Sequence, residues 1–192
     1  NVVQHDAWGH GTHVAAVAAG RSTNYTSAPE NSGIAPNANI IDVKVLSDYG
    51  VGSVSDTLEG IQWTISNAKK YNIRVINMSL ASRARESWQF DPLCIAVRNA
   101  AAVGITVVAS AGNYGSMFGK EAYGTVMSPG NDPTVITVGS ANHKATAVRS
   151  DDVVNSFSSR GPTRSFSTTS TGAKVYDDLI KPDLVAPGNR IM

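Results

Sequence analysis

Two hydrophobic periods alternate along this chain. The segment His10-Gly11-Thr12-His13-Val14-Ala15-Ala16-Val17-Ala18-Ala19-Gly20 is rich in alanine and predicts a helix that stops at Gly20. Ser53 to Tyr71 places Leu58, Ile61, Ile65 and Ala68 at helical spacing, with Asp56 and Glu59 early and Lys69 and Lys70 late, which predicts an amphipathic helix. A third helix opens at Asp91-Pro92, with Asp91 as cap and Pro92 at the first position. Cys94, Val97 and Ala101 would line its inner face, and Gly104 would end it. Between these lie β-like runs: Asn39 to Leu46, followed by the turn Asp48-Tyr49-Gly50, then Arg74 to Met78, Ile105 to Ala109 and Val135 to Val138. The run Ile105 to Ala109 is nearly all apolar, as in a strand covered on both faces. Arg21 to Ser32, Ala81 to Phe90 and the Ser/Thr-rich Arg164 to Gly172 read as loops, the last a flexible one. Alternation of helices and strands implies an α/β fold: a mostly parallel sheet with helices on both faces. Such sheets bind ligands beyond the carboxyl ends of their strands.

Composition narrows the classes. Of 192 residues, 42% are apolar and 16% charged, and 16 Lys and Arg oppose 15 Asp and Glu. That balance argues against a disordered chain and provides no field to recruit nucleic acid or an anionic membrane. No apolar run approaches the roughly 18 residues of a membrane span. The single Cys can neither staple the fold nor build a thiolate metal site. One domain, or a large part of one, is expected. Asn1-Val2-Val3-Gln4 lacks the basic start and apolar core of a signal peptide, and the chain stops shortly after Pro187-Gly188, so both ends are expected to be cuts within a longer protein. Secreted and intracellular locations both stay open.

Three segments fall where chemistry is expected. His10 stands at a helix start, where the dipole disfavours the imidazolium and keeps a neutral base. Ser79-Leu80-Ala81 follows one strand, and Ser110-Ala111-Gly112-Asn113-Tyr114-Gly115 follows another. An Asn flanked by glycines after a strand can aim its amide at a developing oxyanion. It can equally be a plain turn residue. A different reading groups His5, His10 and His13 as a metal-binding module, since the last two can share a helical face; no fourth ligand has suitable spacing. A nucleotide-binding sheet domain would need a Gly-rich phosphate loop between strand and helix, which is absent.

The segments together resemble the subtilisin-like serine proteases. Gly9-His10-Gly11-Thr12-His13-Val14 matches the histidine motif, Val75-Ile76-Asn77-Met78-Ser79-Leu80 the substrate edge and Ala109-Ser110-Ala111-Gly112-Asn113 the oxyanion region. Phe157-Ser158-Ser159-Arg160-Gly161-Pro162 and Lys181-Pro182-Asp183-Leu184-Val185-Ala186-Pro187-Gly188 match the run toward the nucleophile. The resemblance implies a three-layer α/β fold and peptide-bond hydrolysis by an Asp-His-Ser triad. It makes His10 the general base, His13 a structural histidine facing the interior, and Asn113 the oxyanion donor. Ser79, Leu80 and Ala81 become the edge that pairs with an extended polypeptide substrate. Ser110, Ala111 and Gly112 become the floor of the pocket for the residue before the cut, although tight strand-to-helix packing explains these small residues as well. The pattern departs at both ends. Asp6 is the sole carboxylate before His10 and sits in the loop preceding the helix rather than at a strand end. Nothing from Gly188 to Met192 resembles a Gly-Thr-Ser nucleophile motif, and Ser158 and Ser159 belong to a loop motif. Residues 1–192 are therefore expected to be a partial peptidase domain lacking the triad Asp and Ser, inactive and prone to aggregation in isolation. No metal site is assigned. Asn24, Glu30 and Asn31 form no ligand pattern, and structural calcium is left open for the full-length parent.

Overall fold

A computed structural model describes residues 5–21 and 33–189. The chain divides into two compact units, residues 1–60 and 61–192.

In the first unit, helix α1 spans His10–Ala19. Gly9 precedes it at φ 80°, a left-handed conformation that glycine adopts without strain. The Asp6 carboxylate caps the first turn. It accepts from the Gly9 amide (2.9 Å), the Thr12 amide (2.8 Å) and the Thr12 hydroxyl (2.8 Å). At the other end the amides of Ile34 and Ala35 donate to the carbonyls of Val17 and Ala18, at 3.0 and 2.8 Å. None of the ten residues of α1 is buried. His13, expected to face an interior, is exposed. Helix α2 spans Val54–Tyr71, beginning in the first unit and running on into the second. Its start is reciprocal: Asp56 N donates to Ser53 Oγ at 3.0 Å and Ser53 N to Asp56 Oδ2 at 3.3 Å. Residues 39–46, expected to be a strand, join no ladder. Their apolar alternation serves helix packing instead. A Cβ placed on Gly60 would lie 2.8 Å from Val45 Cγ1 and 3.0 Å from Val43 Cγ1, so two valines meet α2 where it has no side chain.

The second unit is organised by a sheet. β1 (Val75–Met78) pairs in parallel with β2 (Thr106–Ser110), and β2 with β5 (Ile136–Asn142). β9 (Leu184–Pro187) adds a further parallel pairing to β5, and the two-residue β6 (Val153–Val154) an antiparallel one. Helix α3 (Pro92–Ala102) makes the crossover from β1 to β2. The fold is α/β, with a mostly parallel sheet, as expected. The β9 ladder explains the apolar part of the Leu184 to Pro187 motif. Burial alternates along β2 and β5. Val107, Ala109, Thr137, Gly139 and Ala141 are buried, the positions between them half-buried or exposed. The apolar run in β2 is thus fully covered on one face only. On that face the core is small and aliphatic, with Cys94, Val97 and Ala100 of α3 at 0% exposure.

Polar side chains tie the loops to this core. Asp91 caps α3, accepting from Leu93 N (2.9 Å) and Cys94 N (3.2 Å), and it also takes the Ser128 hydroxyl at 2.9 Å. Arg98 holds the 81–90 loop through the carbonyls of Trp88 and Gln89, each at 3.0 Å. Residues 164–172, expected to be a flexible loop, are largely ordered into a hairpin of β7 (Phe166–Thr168) and β8 (Lys174–Tyr176). Phe166 and Tyr176 face each other across it at 5.7 Å. Asp177 then anchors the hairpin, accepting from Ser87 Oγ and Ser165 Oγ (both 2.6 Å) and Trp88 N (3.1 Å). Two further short strands, β3 (Ser116–Met117) and β4 (Lys120–Glu121), form a second hairpin.

Asp91→Ala is expected to lower the unfolding free energy by about 2 kcal/mol or more. The lost cap costs about 1 kcal/mol, and stranding the buried Ser128 hydroxyl about 1–3 kcal/mol. Urea unfolding of the full-length protein checks this, with Asp91→Asn recovering part of the loss.

Candidate functional site

The carboxyl end of β2 gathers most of the expected residues. Register places Met78 beside Ala109 and Ser110 beside Val138, so β1, β2 and β5 release their chains in the same direction. β2 continues one residue further: Ala111 N donates to Val138 O at 2.9 Å. Gly112 then turns the chain at φ 104°, a conformation open to glycine and costly to any other residue. Two loops pin this turn. Met127 N donates to Ala111 O, and Ser159 N to Gly112 O, both at 3.0 Å; the Ser159 hydroxyl accepts from Tyr114 N at 3.0 Å. Asn113 sits between these anchors and is exposed. Its side chain is therefore presented from a backbone held on both sides.

Ser79, Leu80 and Ala81 leave β1 half-buried, and Asn77 Nδ2 donates to Ser79 Oγ at 2.9 Å. Beyond them Ser82 and Ser128 form an antiparallel bridge through two backbone bonds of 2.8 and 2.9 Å. Residues 127–128 thus stitch the two loop ends together, one bond to Ala111 and two to Ser82. Sequence reasoning missed this stitch; its signal is the apolar pair Val126-Met127 before Ser128-Pro129-Gly130.

Gly112 bears on the pocket reading. A Cβ placed there would meet Met127 Cγ at 2.7 Å, Met127 Sδ at 2.8 Å and Ser159 Oγ at 2.9 Å. Of the two roles open for Ser110, Ala111 and Gly112, close packing is the one this geometry displays at Gly112, with a thioether filling that side. A cavity of about 550 Å³ lies beside Ser159, the residue that pins this turn, and is lined further by Tyr123, Arg160, Ile180, Pro182 and Val185. At its margin Lys181 Nζ is buried and donates to Val135 O (2.6 Å) and Asp183 Oδ2 (2.7 Å). Burial pushes the Asp183 carboxyl up, but the Lys181 ammonium and the Thr137 amide outweigh it and hold the pKa below the ordinary carboxylate value.

In the first unit, His10 is the first residue of α1 and exposed. The Asp6 carboxyl lies below its ordinary pKa of 3.8, chiefly through the Thr12 amide, with the Thr12 hydroxyl and the Gly9 amide adding to it. Among the described residues no three His, Cys, Asp or Glu side chains are grouped to hold a metal ion. His5, His10 and His13 therefore do not converge, which counts against the metal-module alternative. Asn24, Glu30 and Asn31 lie outside the described residues.

A family model described as "Subtilase family" matches residues 3–191. Serine protease AprX of Bacillus subtilis is 40% identical over 197 residues, an alignment covering 98% of this chain and 39% of that protein. Subtilisin E of the same organism is 38% identical over 156 residues, covering 81% of this chain and 35% of that one. Among solved structures, sphericase superposes with a TM-score of 0.70 at 29% identity, and the S41 psychrophilic protease with 0.69 at 31%. Each alignment covers 93% of this chain and 52% of the solved one. The chain thus spans well under half the length of these curated relatives.

Two outcomes follow from the local geometry. Gly112→Ala is expected to destabilise the fold by about 2 kcal/mol or more, through strain at positive φ and the clash with Met127. Adding Met127→Ala should recover the steric part alone, as read by thermal unfolding. The Asp6 cap carries a pH signature. Its folded pKa is depressed, so its contribution is complete above the unfolded value and is lost as pH falls through the lower folded one. Protection of the Thr12 amide from hydrogen exchange, taken relative to its intrinsic rate at each pH, should therefore fall below about pH 4, and Asp6→Asn should abolish that dependence.

Proposed function

Because the chain belongs to the subtilase family, we propose that residues 1–192 are the central part of the catalytic domain of a serine-type endopeptidase. In this reading the triad Asp and the nucleophilic Ser lie in segments outside residues 1–192. His10 is the general base: it takes the proton of the attacking serine hydroxyl and returns it to the leaving amine as the peptide C–N bond breaks. Asn113 donates its side-chain amide to the oxygen that becomes negative in the tetrahedral intermediate. Ser79, Leu80 and Ala81 pair with an extended polypeptide substrate by strand addition, and Ser110, Ala111 and Gly112 border the side chain before the cut.

The observation that carries this reading is the anchoring of the Asn113 loop by Met127 and Ser159. An oxyanion donor contributes most when it need not reorganise during the reaction, and a turn bonded on both flanks supplies that rigidity. The proposed mechanism uses no cofactor, and its partner is a polypeptide. No helix among the described residues is long and apolar enough to cross a membrane.

Steady-state kinetics of the full-length protein test the roles. Asn113→Ala is expected to lower kcat by about 10²–10³ with little change in KM, the magnitude being this family's own precedent rather than a figure specific to this chain. His10→Ala should abolish turnover. Unchanged kcat in either variant removes that residue from the mechanism. The isolated 192-residue chain, lacking nucleophile and acid, should hydrolyse no peptide.

A further inference from the structure

Ser158 and Ser159 are adjacent and each 1% exposed, a costly place for two hydroxyls unless both are bonded. They engage different elements. Ser158 Oγ accepts from Ser140 N of β5 at 2.9 Å, and Ser159 Oγ accepts from Tyr114 N at 3.0 Å. The segment around them brackets Asn113. On one side Ser159 N donates to Gly112 O at 3.0 Å. On the other, besides the Tyr114 bond, Gly115 N donates to Phe157 O at 2.9 Å and Arg160 Nη1 donates to Gly115 O at 3.1 Å. The approach is close: a Cβ on Gly115 would strike Ser158 O and lie 2.8 Å from Arg160 Nη1.

This bracket is itself fixed from behind. Asn155 bonds Ser140 twice, its backbone amide donating to the carbonyl at 2.9 Å and its side-chain amide to Oγ at 2.7 Å. Ser158 N donates to Asn155 O at 3.0 Å. Arg160 N donates to Thr125 Oγ1 at 3.1 Å, and Thr125 N donates to Arg160 O at 2.9 Å. The sheet therefore reaches the Asn113 turn directly through β2, and by a second route through β5, Ser158 and Ser159.

We propose that Ser159 is a positioning residue for oxyanion stabilisation: its hydroxyl holds the Tyr114 amide, so that the Asn113 side chain is in place before charge develops, and Ser158 secures that hold to β5. The proposal rests on the endopeptidase reading and adds a division of labour to it. Asn113 meets the oxyanion, whereas the two buried serines act only through the loop that carries it. Reaction rate is sensitive to such placement, a displacement of about 1 Å being able to cost about 10².

A double-mutant cycle in the full-length protein tests this. The readouts are kcat and KM on one chromogenic peptide, with active sites counted by a covalent serine-directed inhibitor. Ser159→Ala removes the hydroxyl and keeps the backbone bond to Gly112. It is expected to lower kcat per active site about tenfold, equivalent to 1.4 kcal/mol, and to leave KM unchanged. In an Asn113→Ala background no amide remains to be placed, so the same substitution should change kcat by less than about twofold. Ser158→Ala should follow the same pattern with a smaller loss. Should Ser159→Ala fail to fold, Ser158→Ala carries the cycle, since it leaves the Tyr114 bond in place and loosens the brace only from behind. An equal loss of kcat in both backgrounds would make the serines general supports of the fold and overturn the proposal. So would a loss confined to KM or to the number of active sites, or an unchanged kcat. If the wild type cuts no peptide, or His10→Ala cuts equally well, the endopeptidase reading fails and the positioning role with it.

Discussion

β2 is hydrogen-bonded along both edges, to β1 and to β5, and its exit from the sheet is bonded again on each flank, by Met127 and by Ser159. That double anchoring is the constraint on which the candidate site depends. It leaves the chain at Gly112 no freedom to relax around a side chain, and the positive φ and the 2.7 Å approach of Met127 Cγ to a would-be Cβ are two expressions of the same crowding. In the proposed mechanism the consequence for Asn113 is mechanical. A side-chain amide on a mobile loop would have to be ordered at the moment charge develops, and the cost of that ordering would offset its electrostatic benefit. Here the ordering is achieved during folding, by backbone bonds that do not involve the amide itself.

Polar groups support the loops behind this turn to an unusual degree. Asp91, Ser128, Asn131, Ser165 and Ser87 are all buried, and hydrogen bonds run from Ser128 to Asp91, from Asn131 to Ser165, and from Ser165 and Ser87 to Asp177. The thiol of Cys94, donating to Asn131 Oδ1 at 3.3 Å, joins the same group, and burial foremost, then the Asp91 charge, pushes its pKa far up, which leaves it an inert packing atom. Among the described residues no buried side-chain nitrogen or oxygen lacks a partner. A network of this kind stabilises only when it is complete, so it specifies one arrangement of the 81–90, 127–131 and 163–166 loops where an apolar filling would tolerate several. Two of those loops adjoin the Asn113 turn and the strand edge at Ser82.

The elements that were legible in the amino-acid pattern owe their structure to local causes. The capping pair Asp91-Pro92, the alanine run before Gly20 and the spacing of Leu58, Ile61 and Ile65 each act within one helix, and each helix appears within a residue of its expected bounds. The misreadings concern pairing. Residues 39–46 have the composition of a strand, but a strand exists only when a neighbour supplies its ladder, and Val43 and Val45 meet Gly60 of α2 instead. Phe166 and Tyr176 stabilise a hairpin because they face each other across it, a relation that a count of Ser and Thr between them conceals. The turn after β2 was legible for a different reason. Small residues crowd wherever backbones approach closely, so Ser110-Ala111-Gly112 announces a crowded turn, while the identity of what crowds it, Met127 and Ser159, is tertiary information.

The position of Asp6 shows how one carboxylate can be mistaken for another. It precedes His10 closely and is the only acid that does so, which invites a role beside the imidazole. Its oxygens instead receive the Gly9 amide and both donors of Thr12, the groups that a helix start leaves without intrahelical partners. A carboxylate placed there compensates the positive end of the helix dipole and fixes the first turn on which His10 is carried. That is a positioning task, and it operates through the backbone. Orienting a catalytic imidazole calls for something else: an acceptor aligned with one ring nitrogen and sheltered from solvent, so that it selects a tautomer. Asp6 is exposed to solvent. Its charge there is screened, and its preference for the anion comes from short, local hydrogen bonds. The same atoms that make it an effective cap leave it without the shelter that orienting an imidazole calls for, and the proposed mechanism takes its acid from a different segment of the polypeptide.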